Sequence, residues 1–408
     1  MSQTIRQVIV SPTHRASDPR GSVLAGDGAA RPGNALVLSG GGARGAYHAG
    51  VLSAIAERIP DASFSILTGI SAGAINAAYF ANQERSFPET VERMREEWLA
   101  VTPDQVFRTR PTSWWFRAVA RWSWRATVGG PAPRTRMGSL LNLEPLRAFI
   151  NRWFDAQAVD RNIAAGRLHA LAVSATSYAA GRSVTFVHGA SDATLWRGAH
   201  GAAKRTRLTA DHLMASAAIP VVFQPIRVGT EFYGDGGVRH TSPLAPALRL
   251  GARAVLAIGT GGGQTARGAT PGSSNDPTVA EGIGLLLDSI FLDALEADAE
   301  QVSRLNRLLK RLPPGVPRPY GLRPVNLVML RPSRDLAALA VGHGAELPRR
   351  LRAIVRVLGG EDESAGGLLS YLLFERPFTS RLMELGYEDT VARWPVIDRF
   401  FGRIEASR

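Results

Sequence analysis

Twice within its first eighty residues the chain runs from a short apolar segment through glycine into a helical pattern. Ala35-Leu36-Val37-Leu38 leads into Gly40-Gly41-Gly42, after which Ala46, Val51, Leu52, Ile55 and Ala56 fall on one helical side. Phe64-Ser65-Ile66-Leu67 leads into Gly69, and an alanine-rich helix is predicted from Ala72 to Ala81. Apolar runs this short, alternating with helices, are buried strands of a mostly parallel sheet with helices on both faces. The pattern continues with a hairpin, 168–175 and 183–187, turning at Ala180-Gly181, and with strands at 221–228, 254–258 and 325–330. Residues 261–278 read as a loop. A long helix is predicted over 279–312, acidic in its first half and ending with Arg304, Arg307, Lys310 and Arg311, as the helix dipole favours. Its apolar positions Leu286, Ile290, Leu295, Val302, Leu305 and Leu309 are expected in the core. The fold class is therefore α/β. Residues 1–33 lack apolar periodicity and read as a disordered tail, 34–260 as the core, and 261–408 as a mainly helical C-terminal extension packed on it. No h-region and no run of 18 apolar residues is present, so neither a secretory signal nor a membrane span is expected.

The second glycine turn carries the chemistry. Gly69-Ile70-Ser71-Ala72-Gly73 fits G-x-S-x-G with a strand before it and a helix after it. A nucleophilic serine on such a turn projects above the sheet, and Gly69 and Gly73 leave room for the backbone to fold back on itself. The chain has no cysteine, which removes thiolate nucleophiles, disulfides and thiolate metal sites. The first turn, Gly40-Gly41-Gly42-Ala43-Arg44-Gly45, has two functional readings beside that of a plain structural turn. It satisfies the dinucleotide fingerprint G-x-G-x-x-G, but the second strand ends without the ribose-binding acid that fingerprint needs. It also suits an oxyanion hole built from successive N–H groups of Gly40, Gly41, Gly42, Arg44 and Gly45. Arg44 opposes the dipole of its own helix, which makes sense if an anion sits opposite. None of the eight histidines has the placement of a triad base, and none are spaced i, i+3 or i, i+4 for a helical metal site. Asp235-Gly236-Gly237, a tight turn after Phe232-Tyr233, can present a carboxylate, and burial could raise its pKa toward that of a working base.

These motifs, in this order, resemble the patatin-like phospholipases. Ala215-Ser216-Ala217-Ala218-Ile219-Pro220, with Phe223 and Pro225, matches the stretch that precedes the aspartate in that family. The likeness spans about residues 34–260; Leu369-Ser370-Tyr371-Leu372-Leu373-Phe374 resembles the extensions of bacterial members more loosely. The resemblance implies a patatin-like three-layer fold and a Ser71–Asp235 dyad without histidine. It further implies a glycine-rich oxyanion hole at 40–45, turn glycines Gly236 and Gly237, and no metal or cofactor. The substrate implied is a phospholipid or lysophospholipid ester. A carboxylesterase or thioesterase with the same dyad is the neighbouring alternative. A nucleotide-binding or interaction protein with a vestigial elbow is the remote one.

Charge supplies a partner. The net charge is +13, and 46 of the 48 basic residues are arginine. Residues 107–136 hold seven arginines, no acid and four of the eight tryptophans, so over half of the net charge lies in one segment. Trp114, Trp115, Arg117, Arg121, Trp122, Trp124 and Arg125 suit an anionic lipid surface or a lid over the site. The same mixture could bind nucleic acid by stacking, or bury its tryptophans in the protein. Beside an esterase-like site the lipid surface is preferred and no nucleic acid is expected. The expected location is the cytoplasm, with peripheral association at the inner face of the membrane.

Overall fold

A computed structural model describes residues 33–109, 141–198, 201–220, 222–261, 278–313, 322–357 and 365–402. Strand β1 (Asn34–Leu38) sits in the middle of the architecture because both of its faces are apolar. Leu36 and Leu38 enter one core cluster, Ala35 and Val37 the other. A strand buried on two sides reads as a continuous apolar run, and the two clusters are the two interfaces of a helix–sheet–helix sandwich.

The other strands are β2 (Ile66–Ile70), β3 (Arg108–Thr109), β4 (Leu141–Asn142), β5 (Ala170–Ser177), β6 (Arg182–Gly189), β7 (Gly201–Arg205), β8 (Ile226–Val228), β9 (Glu231–Asp235), β10 (Ala254–Ile258) and β11 (Asn326–Leu330). β3 and β4 pair with each other; the remaining strands form one sheet in the order β11-β10-β1-β2-β5-β6-β7, with β9 pairing with both β5 and β8. Pairings β11-β10, β10-β1, β1-β2, β2-β5 and β6-β7 are parallel, so the sheet is mostly parallel. Strand order reverses at β1, whose neighbours are its sequence successor β2 and the distant β10. In such sheets ligands bind beyond the carboxyl ends of the strands at the reversal. Both glycine turns lie there. The fold is of the three-layer α/β class, with a helical C-terminal region that also contributes edge strand β11.

Several sequence expectations change. Of the described residues 222–228 only Ile226–Val228 is strand, because Pro225 cannot donate to a ladder. The 279–312 helix is interrupted: Val279–Asp288 passes through a π-turn at Ser289–Asp293 into Ala294–Arg311. A π-turn inserts one residue and rotates the apolar stripe. Ahead of that turn the buried face of the first helix is Ala280, Gly284 and Leu287, so Leu286 falls outside it and is 64% exposed, not core; Leu285 and Val279 are exposed as well. Helix Phe87–Ala100, which starts on a Ser86/Glu89 capping box, and strand β7 were not among the sequence expectations.

Candidate active site

The elbow is strained in the way its sequence implies. Ser71 follows β2 directly and has φ 55° and ψ −128°; among the described residues it alone has positive φ without being glycine. A side chain tolerates that region only when its surroundings enforce it. A Cβ on Gly69 would lie 2.3 Å from Gly73 O, and one on Gly73 would lie 2.2 Å from Leu38 O. The Ser71 N–H donates to Ser216 Oγ at 2.9 Å, and Ser216 in turn donates to Ser174 O at 2.6 Å.

Asp235 reaches this serine through the sheet. β2 pairs with β5 up to Ile70↔Ser174, and β9 takes over the same side of β5 from Ala175↔Asp235, running the other way. The two strands thus meet head-on in one lane, Ser71 ending one and Asp235 the other. Asp235 is fully buried. Its N–H donates to Ala218 O at 2.8 Å and its carbonyl accepts from Thr176 Oγ1 at 2.8 Å. Oδ1 accepts the Gly237 N–H at 2.8 Å, while Oδ2 has no hydrogen-bond partner among the described residues. Burial pushes the carboxyl up to about 7, against the Gly237 N–H and the Ser71 hydroxyl, which both pull it down. Serine and carboxyl are therefore neighbours, although they are not within full hydrogen-bond geometry.

The glycine loop starts at the end of β1 and runs into a 3-10 turn, Gly42–Gly45. Gly40 lies against the serine: a Cβ there would be 3.1 Å from Ser71 Cβ. Phe291, from the π-turn, covers both Gly40 and Gly237. The five residues expected to form an oxyanion hole are not equivalent. The Arg44 N–H is engaged by Gly41 O at 3.1 Å, whereas the N–H groups of Gly41 and Gly42 bond to no described residue. The buried Arg44 guanidinium finds its anion in Asp288 (2.9 Å), bonds Ser370 Oγ through Nε (2.8 Å) and lies 4.1 Å from the Tyr371 ring centroid. Asp288, Ser370, Tyr371 and Phe291 had no sequence signal for these contacts, since each depends on distant chain segments packing together.

An apolar pocket opens at Ser71. Ile75, Trp98, Phe149, Trp153, Phe223 and Leu372 are among its walls. The buried histidines lie elsewhere. His48 bonds Asn76, His240 bonds Ser183 and His212 bonds Thr209; burial pushes their pKa values down to about 3, 4 and 4 respectively. No described histidine bonds Ser71 or Asp235, and no metal-ligand cluster occurs among the described residues. Trp114, Trp115, Arg117, Arg121, Trp122, Trp124 and Arg125 lie outside the described residues, as does most of 261–278.

Residues 36–248 match the family of patatin-like phospholipases. The match covers more than half of the chain, and the chain belongs to this family, whose members are lipid ester hydrolases. No curated protein sequence matches significantly. Similar solved structures include VipD from Legionella pneumophila (13% identity, TM-score 0.33), with 90% of this chain and 67% of that chain covered. Human GIVD cytosolic phospholipase A2 bound to methyl γ-linolenyl fluorophosphonate is 11% identical with TM-score 0.38, over 92% of this chain and 59% of that one. The ExoU–SpcU complex of the Pseudomonas aeruginosa type III secretion system is 16% identical with TM-score 0.26, over 90% and 72%.

Proposed function

We propose that the protein is a serine acyl hydrolase that cleaves phospholipid or lysophospholipid esters with a Ser71–Asp235 dyad. The observation that carries this reading is the neutral-range, fully buried Asp235 facing a strained serine at the mouth of an apolar pocket. Asp235 Oδ2 takes the Ser71 proton as Oγ attacks the ester carbonyl carbon. Negative charge on the carbonyl oxygen is met by the N–H groups of Gly41 and Gly42. The tetrahedral species collapses, the C–O bond breaks, and the leaving alkoxide takes the proton from Asp235. Water then attacks the acyl-enzyme, giving its proton to Asp235, which returns it to Ser71 Oγ as the fatty acid leaves. No step asks for a metal or cofactor. The apolar walls favour a long acyl chain over a small water-soluble ester.

A long-chain fluorophosphonate should label the protein at Ser71, and Ser71→Ala should remain folded and unlabelled. With a mixed lipid extract, mass spectrometry should find free fatty acid and lysolipid. Labelling elsewhere would remove the dyad; cleavage of water-soluble esters alone would move the substrate to the carboxylesterase alternative.

The charge and tryptophans of 107–136 support contact with an anionic membrane surface. No helix among the described residues is long and apolar enough to cross a membrane. Phosphatidylglycerol vesicles should bind the protein more tightly than phosphatidylcholine vesicles, shift its tryptophan emission and release it as salt rises. Equal binding to both kinds of vesicle would remove the electrostatic contribution.

A further inference from the structure

The catalytic loop is fastened from behind by two hydroxyls that neither motif contains. Thr260 stands just beyond the end of β10, and Ser39 just beyond the end of β1. The parallel ladder between these strands continues past both, with the Ser39 N–H donating to Ile258 O at 3.1 Å. Both side chains are buried, Thr260 completely. The Thr260 hydroxyl donates to the Gly40 carbonyl at 2.5 Å. Ser39 Oγ lies 3.2 Å from the same carbonyl and 3.3 Å from Thr260 Oγ1, and it accepts the Thr260 N–H at 3.0 Å.

A trans peptide points its C=O and N–H in opposite directions. Holding the Gly40 carbonyl on Thr260 therefore aims the Gly41 N–H away from Thr260. The Gly40–Gly41 peptide lies between Thr260 and the serine: a Cβ on Gly41 would be 2.6 Å from Thr260 Oγ1, and one on Gly40 would be 3.1 Å from Ser71 Cβ. Turned away from the threonine, the N–H faces the serine's side. Gly41 also has φ 152°, a conformation that keeps other residues out and leaves the peptide without a side chain to hold it. Its orientation has to come from outside the loop.

We propose that Thr260, braced by Ser39, is a positioning residue that orients the Gly41 N–H toward the oxyanion. This inference rests on the acyl-hydrolase reading above. A preorganised donor acts on charge that appears in the transition state, not on the bound ester. Loss of the clamp therefore lowers kcat and leaves KM unchanged.

The experiment uses the full chain and a long-chain nitrophenyl ester. Thr260→Val keeps the shape and loses the hydroxyl, and it should lower kcat by about 10- to 100-fold, below the roughly 10²–10³ seen when a donor is removed outright. Thr260→Ser keeps the hydroxyl and loses a methyl group, and it should retain most of kcat. If packing alone mattered, the serine variant would be the worse of the two. Ser39→Ala gives a second reading should the valine variant fail to fold, and its kcat should fall with KM unchanged. Wild-type kcat in Thr260→Val or Ser39→Ala overturns the proposal, as does a serine variant impaired as much as the valine one. An inactive wild-type protein that fluorophosphonate does not label would instead sink the acyl-hydrolase reading itself.

Discussion

Asp235→Asn should lose nearly all ester turnover and at the same time make the protein more stable at pH 8. The activity half follows from proton transfer: an amide cannot take the serine proton, and a positioned base is worth about 10²–10⁴ in rate. The stability half follows from burial. The carboxyl moves from an ordinary 3.8 to about 7 on folding, chiefly through desolvation. A group with a raised folded pKa holds its proton longer when folded, so folding is favoured most below the unfolded value. That advantage shrinks as pH rises from about 4 and is gone above about 7. Three units correspond to about 4 kcal/mol as an order of magnitude. Asparagine has nothing to ionise and can still accept the Gly237 N–H. Its midpoint of unfolding should exceed that of the wild type at pH 8, and the gap should close toward pH 4. The wild-type rate should climb through an apparent pKa near 7, since the ionised form is the base. Turnover surviving in Asp235→Asn, or a stability gap that does not change with pH, would contradict this account.

Arg44→Ala should be the most destabilising change in the glycine loop. The guanidinium is 2% exposed and joins the loop to two segments that arrive more than 240 residues later, Asp288 on one and Ser370-Tyr371 on the other. Removing one partner of a buried ion pair costs about 3–5 kcal/mol, here toward the lower end, because Asp288 is 19% exposed and keeps the Tyr371 hydroxyl. Lysine should recover only part of this. A point charge cannot reach Ser370 Oγ and Asp288 together while lying on the Tyr371 ring. Chemical denaturation measures both variants, and a loss below about 1 kcal/mol for alanine would show that the loop is held by other contacts. Activity should fall as well, because the same helix carries the π-turn whose Phe291 covers Gly40 and Gly237.

Arg44 also separates what a sequence can and cannot state. The sequence places Arg44 in the first turn of a helix, where a cation opposes the dipole; the structure instead puts it in the last turn of the 3-10 helix Gly42–Gly45, where a cation is favoured, and pairs it with Asp288. Which anion it meets depends on how the chain returns from residue 288. The capping box at Ser86 and Glu89 was legible locally, with Pro88 beside it, and defines a helix that periodicity did not reveal. β7, Gly201–Arg205, carries no such local mark: Gly-Ala-Ala-Lys-Arg becomes a strand by adding to the edge of β6.

The sequence by itself determined the alternation of strands and helices, both glycine turns, and the elbow at Ser71. Each of these depends on sterics and periodicity within a few residues. The tertiary structure alone decided that β9 enters the lane of β2 from the opposite end, so that Asp235, 164 positions later, stops against Ser71. It also decided that Asp288 answers Arg44, that Leu286 faces solvent, and that the Thr260 hydroxyl stands behind the glycine loop on the Gly40 carbonyl. These outcomes are set by strand register and by which faces are buried together. Such quantities belong to pairs of distant segments, and neither segment carries them alone.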